Sequence, residues 1–341
     1  MHGLCTIVCL TIIRTLTNIS DRLTVPYREA PMIVTVTLNA SIDKAYQLTR
    51  PLEVHEVQRV ATVIDRAGGK GLNCARAVKT CGEDVVATGF VGGHNGELLC
   101  DLLQADGVEQ DFCVVEAETR CCINALDPDG ASTEFLEPGR PVGDRALEAI
   151  LDKVEALAKR ADGVTLNGSA PAGLPKDVYA LLIERVKKAG AKVLLDTSGE
   201  LLLEGVRACP TMVKPNTDEI AAVLRHAVTG EEEVVAAAKE LHEQGVPLVV
   251  VSLGGAGAVM ACDEGVYRGR SPRIEVVNPV GSGDTLVGAF GVALARGASA
   301  PEALRYGMAC ATANCLSPET GAFDLTVAEE LQAQTAVERI G

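Results

Sequence analysis

Asn278-Pro279-Val280-Gly281-Ser282-Gly283-Asp284 runs directly into a small-residue segment, Thr285 to Ala295, that Gly297 stops. Glycines ahead of a helix let successive backbone N–H groups turn toward one point, and the helix dipole adds positive potential there. Such a cradle holds an anion. A carboxylate in the same first turn repels a bound phosphate, so Asp284 has a purpose only where something must lose a proton. A hydroxyl attacking a phosphoryl group fits. Asp284 is then the general base, and the amides of Gly281, Ser282 and Gly283 stabilise charge on the moving phosphoryl. On these residues alone, a plain helix N-terminus that favours Asp is the alternative.

Three further elements carry polar groups at useful spacing. Gly68-Gly69-Lys70-Gly71-Leu72-Asn73 opens a helical pattern but is neither GxxxxGK[ST] nor the dinucleotide GxGxxG. Close backbone approach to a sugar, with Lys70 and Asn73 as polar contacts, suits it better. Lys214-Pro215-Asn216-Thr217-Asp218-Glu219 follows a strand and begins a helix. Asn216 and Glu219, three apart, share a helical face and could hold the water shell of Mg²⁺, which keeps several waters; a helix cap is the other reading. Ser252-Leu253-Gly254-Gly255-Ala256-Gly257 ends a strand with glycines that admit a nucleotide or simply turn a hairpin.

The elements that must position these groups alternate. Apolar, β-branched runs at Asp84–Val91, Gly163–Leu166, Lys192–Asp196 and Pro247–Ser252 read as strands. Leu72–Cys81, Asp144–Arg160, Lys176–Ala189 and Glu231–Gln244 read as helices, three of them followed at once by Gly82, Gly190 and Gly245. This rhythm predicts an α/β fold with a mainly parallel sheet covered on both faces, and ligands beyond the carboxyl ends of its strands. Two regions break it. Ile42–Leu48 with Val54–Val63, and Cys121–Leu126 with Ala131–Leu136 joined by Asp127-Pro128-Asp129-Gly130, have strand character. Four such strands make a small separate sheet, a lid or a pairing surface, or else an antiparallel edge of the main one.

Composition narrows the class. The 341 residues are 47% hydrophobic and 23% charged, within the range of globular enzymes. The net charge of -15 argues against non-specific nucleic-acid binding, which needs basic stripes. No run of about 18 apolar residues occurs, so no membrane-spanning helix is expected. The 12 cysteines include no CxxC pair and the 5 histidines no HExxH, so zinc chemistry has no foothold. Cysteines scattered through apolar segments fit a reducing cytoplasm. Residues 1–31 differ from the rest: Leu4 to Ile13 is apolar but lacks the flanks of a signal peptide, and the strand pattern starts at Met32. Residues 1–31 are therefore expected to be an extension outside the fold, with Met32 as the biological start.

Together these elements, in this order, resemble the phosphofructokinase B branch of the ribokinase-like sugar kinases over essentially all of residues 32–341. The resemblance rests on Asn39-Ala40-Ser41-Ile42-Asp43, Ala67-Gly68-Gly69-Lys70-Gly71-Leu72-Asn73-Cys74-Ala75-Arg76, Thr119-Arg120, the Lys214-Pro215-Asn216-x-x-Glu219 block and the terminal Gly281-Ser282-Gly283-Asp284. It implies an αβα sandwich with a β lid near 42–63 and 120–137, ATP and Mg²⁺, a phosphosugar substrate and a homodimer through the lid. Position by position it implies Asp284 as base and Gly281, Ser282 and Gly283 as anion hole. Asp43 would bind sugar hydroxyls, Gly68, Gly69, Lys70 and Asn73 the sugar phosphate, and Arg120 the substrate phosphate as a guanidinium fork. Lys214, Asn216 and Glu219 match the nucleotide and Mg²⁺ region, and Ser252, Gly254 and Gly257 the nucleotide loop. Ser282, Pro279 and Ala40 depart from the usual residues without removing a reacting group. Gly-Gly-Lys-Gly is similar to kinases that convert a ketohexose monophosphate to a 1,6-bisphosphate. The choice between fructose 1-phosphate and tagatose 6-phosphate stays open, and a non-catalytic sugar-phosphate sensor on the same fold is the alternative in kind.

Overall fold

A computed structural model describes residues 31–143 and 145–341; the expectation for residues 1–30 lies outside the described residues. The chain runs through β1 (Met32–Thr37), β2 (Ser41–Leu48), β3 (Val60–Gly68), β4 (Asp84–Val91), β5 (Glu109–Gln110), β6 (Cys113–Val114), β7 (Arg120–Leu126) and β8 (Ser132–Leu136). It continues through β9 (Gly163–Asn167), β10 (Lys192–Asp196), β11 (Met212–Val213), β12 (Leu248–Ser252), β13 (Ala258–Cys262), β14 (Gly265–Arg270) and β15 (Ala336–Arg339), with helices between. Spatially the large sheet reads β15-β14-β13-β12-β11-β10-β9-β1-β4-β5, with β6 also paired to β4. From β12 to β4 all pairings are parallel; from β12 to β15 they are antiparallel.

Alternation along β1 explains the layering. Val34 and Val36 feed one core with Ile150, Val154, Leu182 and Val186 of helices Ala146–Ala158 and Val178–Ala189. Ile33 points the other way, to Leu72, Ala75 and Val78 of helix Lys70–Thr80 and to Ala289 and Val292 of helix Ser282–Ala295. Each fully buried valine, leucine or isoleucine among these contributes about 1.5–3 kcal/mol. Helices Lys70–Thr80 and Ser282–Ala295 lie against each other. A Cβ at Gly288 would stand 2.8 Å from the Cys74 carbonyl oxygen, so only glycine permits that approach.

The second sheet is separate, four-stranded, in the order β3-β2-β7-β8. β2 pairs antiparallel with β3 and parallel with β7, and β7 pairs antiparallel with β8. The antiparallel-edge alternative is thereby set aside. One boundary needs correction: the strand expected over Val54–Val63 is β3 at Val60–Gly68, and Val54 to Arg59 is loop. The valines at 54 and 57 are about three-quarters exposed, apolar without being paired. The shift matters, because β3 now ends in the glycine cluster itself.

Candidate active site

Asp284 sits in the first turn of helix Ser282–Ala295, and Gly281 caps that helix at φ 79, a left-handed conformation that favours glycine. Asn314, fully buried on helix Ala300–Cys315, braces the motif. Its Nδ2 donates to the Val280 carbonyl at 3.0 Å, and its Oδ1 accepts from the Gly321 amide at 2.8 Å. The Asp284 carboxylate is only 6% exposed. Asn73 Nδ2 donates to its Oδ2 at 2.8 Å, and Arg76 in turn donates to Asn73 Oδ1 at 3.2 Å. The packing of the two glycine-led helices thus joins motifs 211 residues apart.

Beside Asp284 lies Asp196, fully buried at the end of β10. Its Oδ1 is 3.4 Å from Lys70 Nζ and 3.3 Å from Lys214 Nζ. Burial first, then the Asp196 charge, pushes Asp284 up to about 6, against the pull of Lys70, the Asn73 hydrogen bond and Lys214. Burial opposes the charge on Lys70, but Asp196, Asp284 and Glu219 outweigh it and hold the ammonium above its ordinary value. A carboxylate near 6, beside a helix N-terminus and two ammonium groups, is matched to taking a proton at neutral pH.

Thr37, Asn167 and Asp196 stand in register at the carboxyl ends of neighbouring β1, β9 and β10. All three are buried, and Thr37 Oγ1, both amide atoms of Asn167 and Asp196 Oδ2 have no hydrogen-bond partner among the described residues. Buried polar atoms are nearly always satisfied, so three neighbouring strand ends here carry hydrogen-bonding capacity that no described protein group uses. Sequence reading passed over these residues and Asn314. The available signal was a polar residue closing an apolar strand, as Asp196 closes Lys192–Asp196.

Asp43 lies near the start of β2 in the second sheet. Ser41 Oγ donates to its Oδ1 at 2.6 Å, and burial raises its carboxyl above the ordinary value despite Ser41, Arg120 and Arg76. Ser41 pairs with Gly68, and a side chain at Gly68 would collide with the Asp43 carboxylate. Gly69 takes φ 123, and a Cβ there would stand 2.7 Å from the Thr37 methyl. Lys70 and Asn73 turn toward Asp196 and Asp284, not toward Asp43. Arg120 donates from Nε to the Asn39 carbonyl at 3.1 Å and from a terminal nitrogen to the Glu137 carbonyl at 2.7 Å.

The remaining motif residues lie further along the sheet. Lys214 is buried, its Nζ 3.4 Å from where a Gly283 Cβ would be. Asn216 and Glu219 form a capping box: Asn216 Oδ1 accepts from the Glu219 amide at 2.8 Å, and Glu219 Oε2 from the Asn216 amide at 2.9 Å. The cap uses one oxygen of each side chain and leaves Glu219 Oε1 uncommitted. Ser252 ends β12 beside Asn216, and Gly254 to Gly257 turn the hairpin into β13. No three His, Cys, Asp or Glu side chains converge to hold a metal among the described residues. The structure shows Asn216 and Glu219 as the helix cap, with Glu219 Oε1 the oxygen of the pair left over from it.

Residues 36–326 match the family described as pfkB family carbohydrate kinase. The chain is 35% identical over 311 residues to tagatose-6-phosphate kinase of Staphylococcus epidermidis, covering 90% of this chain and 99% of that one. Escherichia coli phosphofructokinase-2, solved with fructose-6-phosphate, superposes with a TM-score of 0.83 at 27% identity, covering 89% of this chain and 99% of its own; a tetrameric inhibited form of it has also been solved. A Thermotoga maritima structure described as a possible 1-phosphofructokinase gives a TM-score of 0.82 at 28% identity, covering 91% and 100%. The αβα sandwich with a separate small sheet is the fold the resemblance implied. Matched along most of its length in sequence and in fold, the chain belongs to the pfkB family of carbohydrate kinases and is a sugar phosphotransferase.

Proposed function

We propose that the protein transfers the γ-phosphoryl group of ATP to a hydroxyl of a ketohexose monophosphate, giving a 1,6-bisphosphate. The observation that carries this is the Asp284 carboxylate, buried and raised to about 6 at the head of helix Ser282–Ala295. The substrate hydroxyl attacks the phosphorus, its proton passes to Asp284, and the β–γ bridging oxygen leaves with the bond electrons. Amides at Gly281, Ser282 and Gly283, with Lys214 alongside, face the charge on the transferred group. Asp43 and the Gly68-Gly69 backbone hold the sugar, and Lys70 and Asn73 hold Asp196 and Asp284 in place. Ser252, Gly254 and Gly257 border the nucleotide. Asn216 and Glu219 would hold Mg²⁺ through its waters; when bound, that ion neutralises charge on the β- and γ-phosphates.

The relatives named above include both a tagatose-6-phosphate kinase and a possible 1-phosphofructokinase. A furanose bisphosphate is nearly symmetric end to end, so one site can accept either precursor. The sensor alternative draws no support from these relatives. We place the protein in the cytoplasm; no helix among the described residues is long and apolar enough to cross a membrane. We also propose a homodimer through the lid, whose outer strands β3 and β8 expose Val63, Ile64, Phe135 and Leu136. Val63 and Phe135 lie on one face of that sheet and Ile64 and Leu136 on the other, apolar surface at both edges that a second copy could cover.

The test is ATP-dependent ADP release by the full chain with Mg²⁺, comparing fructose 1-phosphate, tagatose 6-phosphate, fructose 6-phosphate and unphosphorylated ketohexoses. One phosphorylated ketohexose should lead by about ten-fold or more in kcat/KM, about 1.4 kcal/mol of transition-state preference. Binding without turnover of any of them would defeat the reading. Arg120→Ala should raise the KM for the phosphosugar by roughly ten-fold or more, the value of a charge-assisted hydrogen bond, with kcat little changed. An unchanged KM would remove Arg120 from the substrate site.

A further inference from the structure

Between the carboxyl ends of β1 and β4 and the chain returning from the second sheet lies a shallow recess open to solvent. Its charged lining residues are Glu118, Arg120 and Arg140. Glu118 is committed elsewhere: its Oε1 accepts from the Asn95 amide at 2.7 Å, at the first turn of helix Gly93–Ala105. Arg120 is oriented by two backbone carbonyls, and the Asp43 carboxylate is its charged neighbour. Arg140 has no hydrogen-bond or ion-pair partner among the described residues. Among the described lining residues two are cations and one, Glu118, is a carboxylate already bonded to a backbone amide. Asp43 offsets part of the Arg120 charge from β2, while Arg140 stays unpaired, so the recess still favours an anion.

The segment carrying Arg140 is held firmly. The Glu137 carbonyl accepts from Arg120, the Pro138 carbonyl accepts from Asn39 Nδ2 at 3.2 Å, and Gly139 turns at φ 84 with room for no side chain beside Asn39. Arg140 follows at once. Neighbouring strands lie ~4.8 Å apart, so the β1 side of the recess is about 10 Å across the sheet from the β10 end where Asp196 flanks Asp284. That separation is comparable to a ketohexose phosphate stretched from its reacting hydroxyl to its phosphate.

On the phosphosugar reading above, we propose that Arg140 is a second phosphate-binding residue, which with Arg120 selects substrates bearing a dianion at the end remote from Asp284. A guanidinium fork suits this role because it offers paired donors to phosphate oxygens. Asn39 and Gly139 are the positioning residues that keep Arg140 at the recess.

Arg140→Ala and Arg140→Lys separate this from a structural role. In Arg140→Ala the KM for the preferred phosphosugar should rise roughly ten-fold or more, with kcat within about three-fold and the KM for ATP unchanged. The KM for an unphosphorylated ketohexose should not move, and Arg140→Lys should recover part of the loss. An unchanged phosphosugar KM, or a loss shared equally by ATP and the unphosphorylated sugar, overturns the proposal. If the unaltered enzyme prefers an unphosphorylated ketohexose, the phosphosugar reading falls and this proposal with it. If it prefers a phosphosugar and Arg140→Ala behaves like it, this proposal alone falls.

Discussion

Asp284→Asn should bind phosphosugar and ATP much as the unaltered enzyme does while turning over at least about 10²-fold more slowly, the usual worth of a positioned general base. Asparagine keeps the shape and can still pair with Asn73, but it cannot take the hydroxyl proton. The pH profile is the second readout. With the carboxyl pushed up to about 6 by burial and by Asp196, kcat/KM should climb as pH rises through about 6, and that limb should vanish in Asp284→Asn. Near-normal turnover in the variant would take Asp284 out of the mechanism. Stability should move the other way. The folded chain binds this proton more tightly, at about 6, than the ordinary carboxyl at 3.8. The native state therefore holds more protons between those values. The group's contribution falls as pH rises from about 4 to about 6 and stays lowered above. The cost at neutral pH is of order 3 kcal/mol, so Asp284→Asn should unfold at a higher temperature than the unaltered protein near pH 7 and show little difference near pH 4.

Gly283→Ala should separate folding from catalysis. A Cβ there meets only the far end of Lys214, with Nζ 3.4 Å away, and alanine is the better helix former by about 1 kcal/mol. The fold should survive with an undiminished melting temperature. Yet the methyl group stands between the helix N-terminus and the Lys214 ammonium, where the transferred phosphoryl is proposed to sit. Loss of that seat should lower kcat/KM for ATP by roughly 10²–10³-fold, as deletion of one oxyanion donor does. Calorimetry alongside ATP turnover decides the matter: activity within about three-fold of normal would place the anion elsewhere.

The parts legible in the sequence were those whose physics is local. Strands Asp84–Val91 and Lys192–Asp196 were read to the residue, because β-branched runs end against glycine or polar residues. Two-residue strands such as β5, β6 and β11 show no periodicity to detect. Val54–Val63 was read too early because exposed valines at 54 and 57 mimic a strand that starts only at Val60. Asp284 stood out as a carboxylate next to a glycine cluster, and the structure buries it in the first turn of helix Ser282–Ala295. Asp196 did not stand out, since its meaning comes from Lys70 and Lys214, 126 and 18 positions away. Thr37 and Asn167 belong to a row that exists only through strand register. Asn216 and Glu219 illustrate an overlap: the three-residue spacing that suits a hydrated ion is also that of a capping box.

The joint between the lid and the body has a mechanical meaning. β1 passes into β2 through only Leu38, Asn39 and Ala40, and β3 passes into helix Lys70–Thr80 through Gly69. Asp43 is therefore carried by the small sheet, while Asp284 is anchored to the large one. A sugar that touches both becomes a strut between them, and its grip depends on the angle at which the small sheet rests. Whatever clamps the outer edge of that sheet, a second copy above all, would tune sugar affinity from a distance. A nucleotide held, as proposed, by Lys214 and the turn at 252–257 would rest on the large sheet alone and be left untouched.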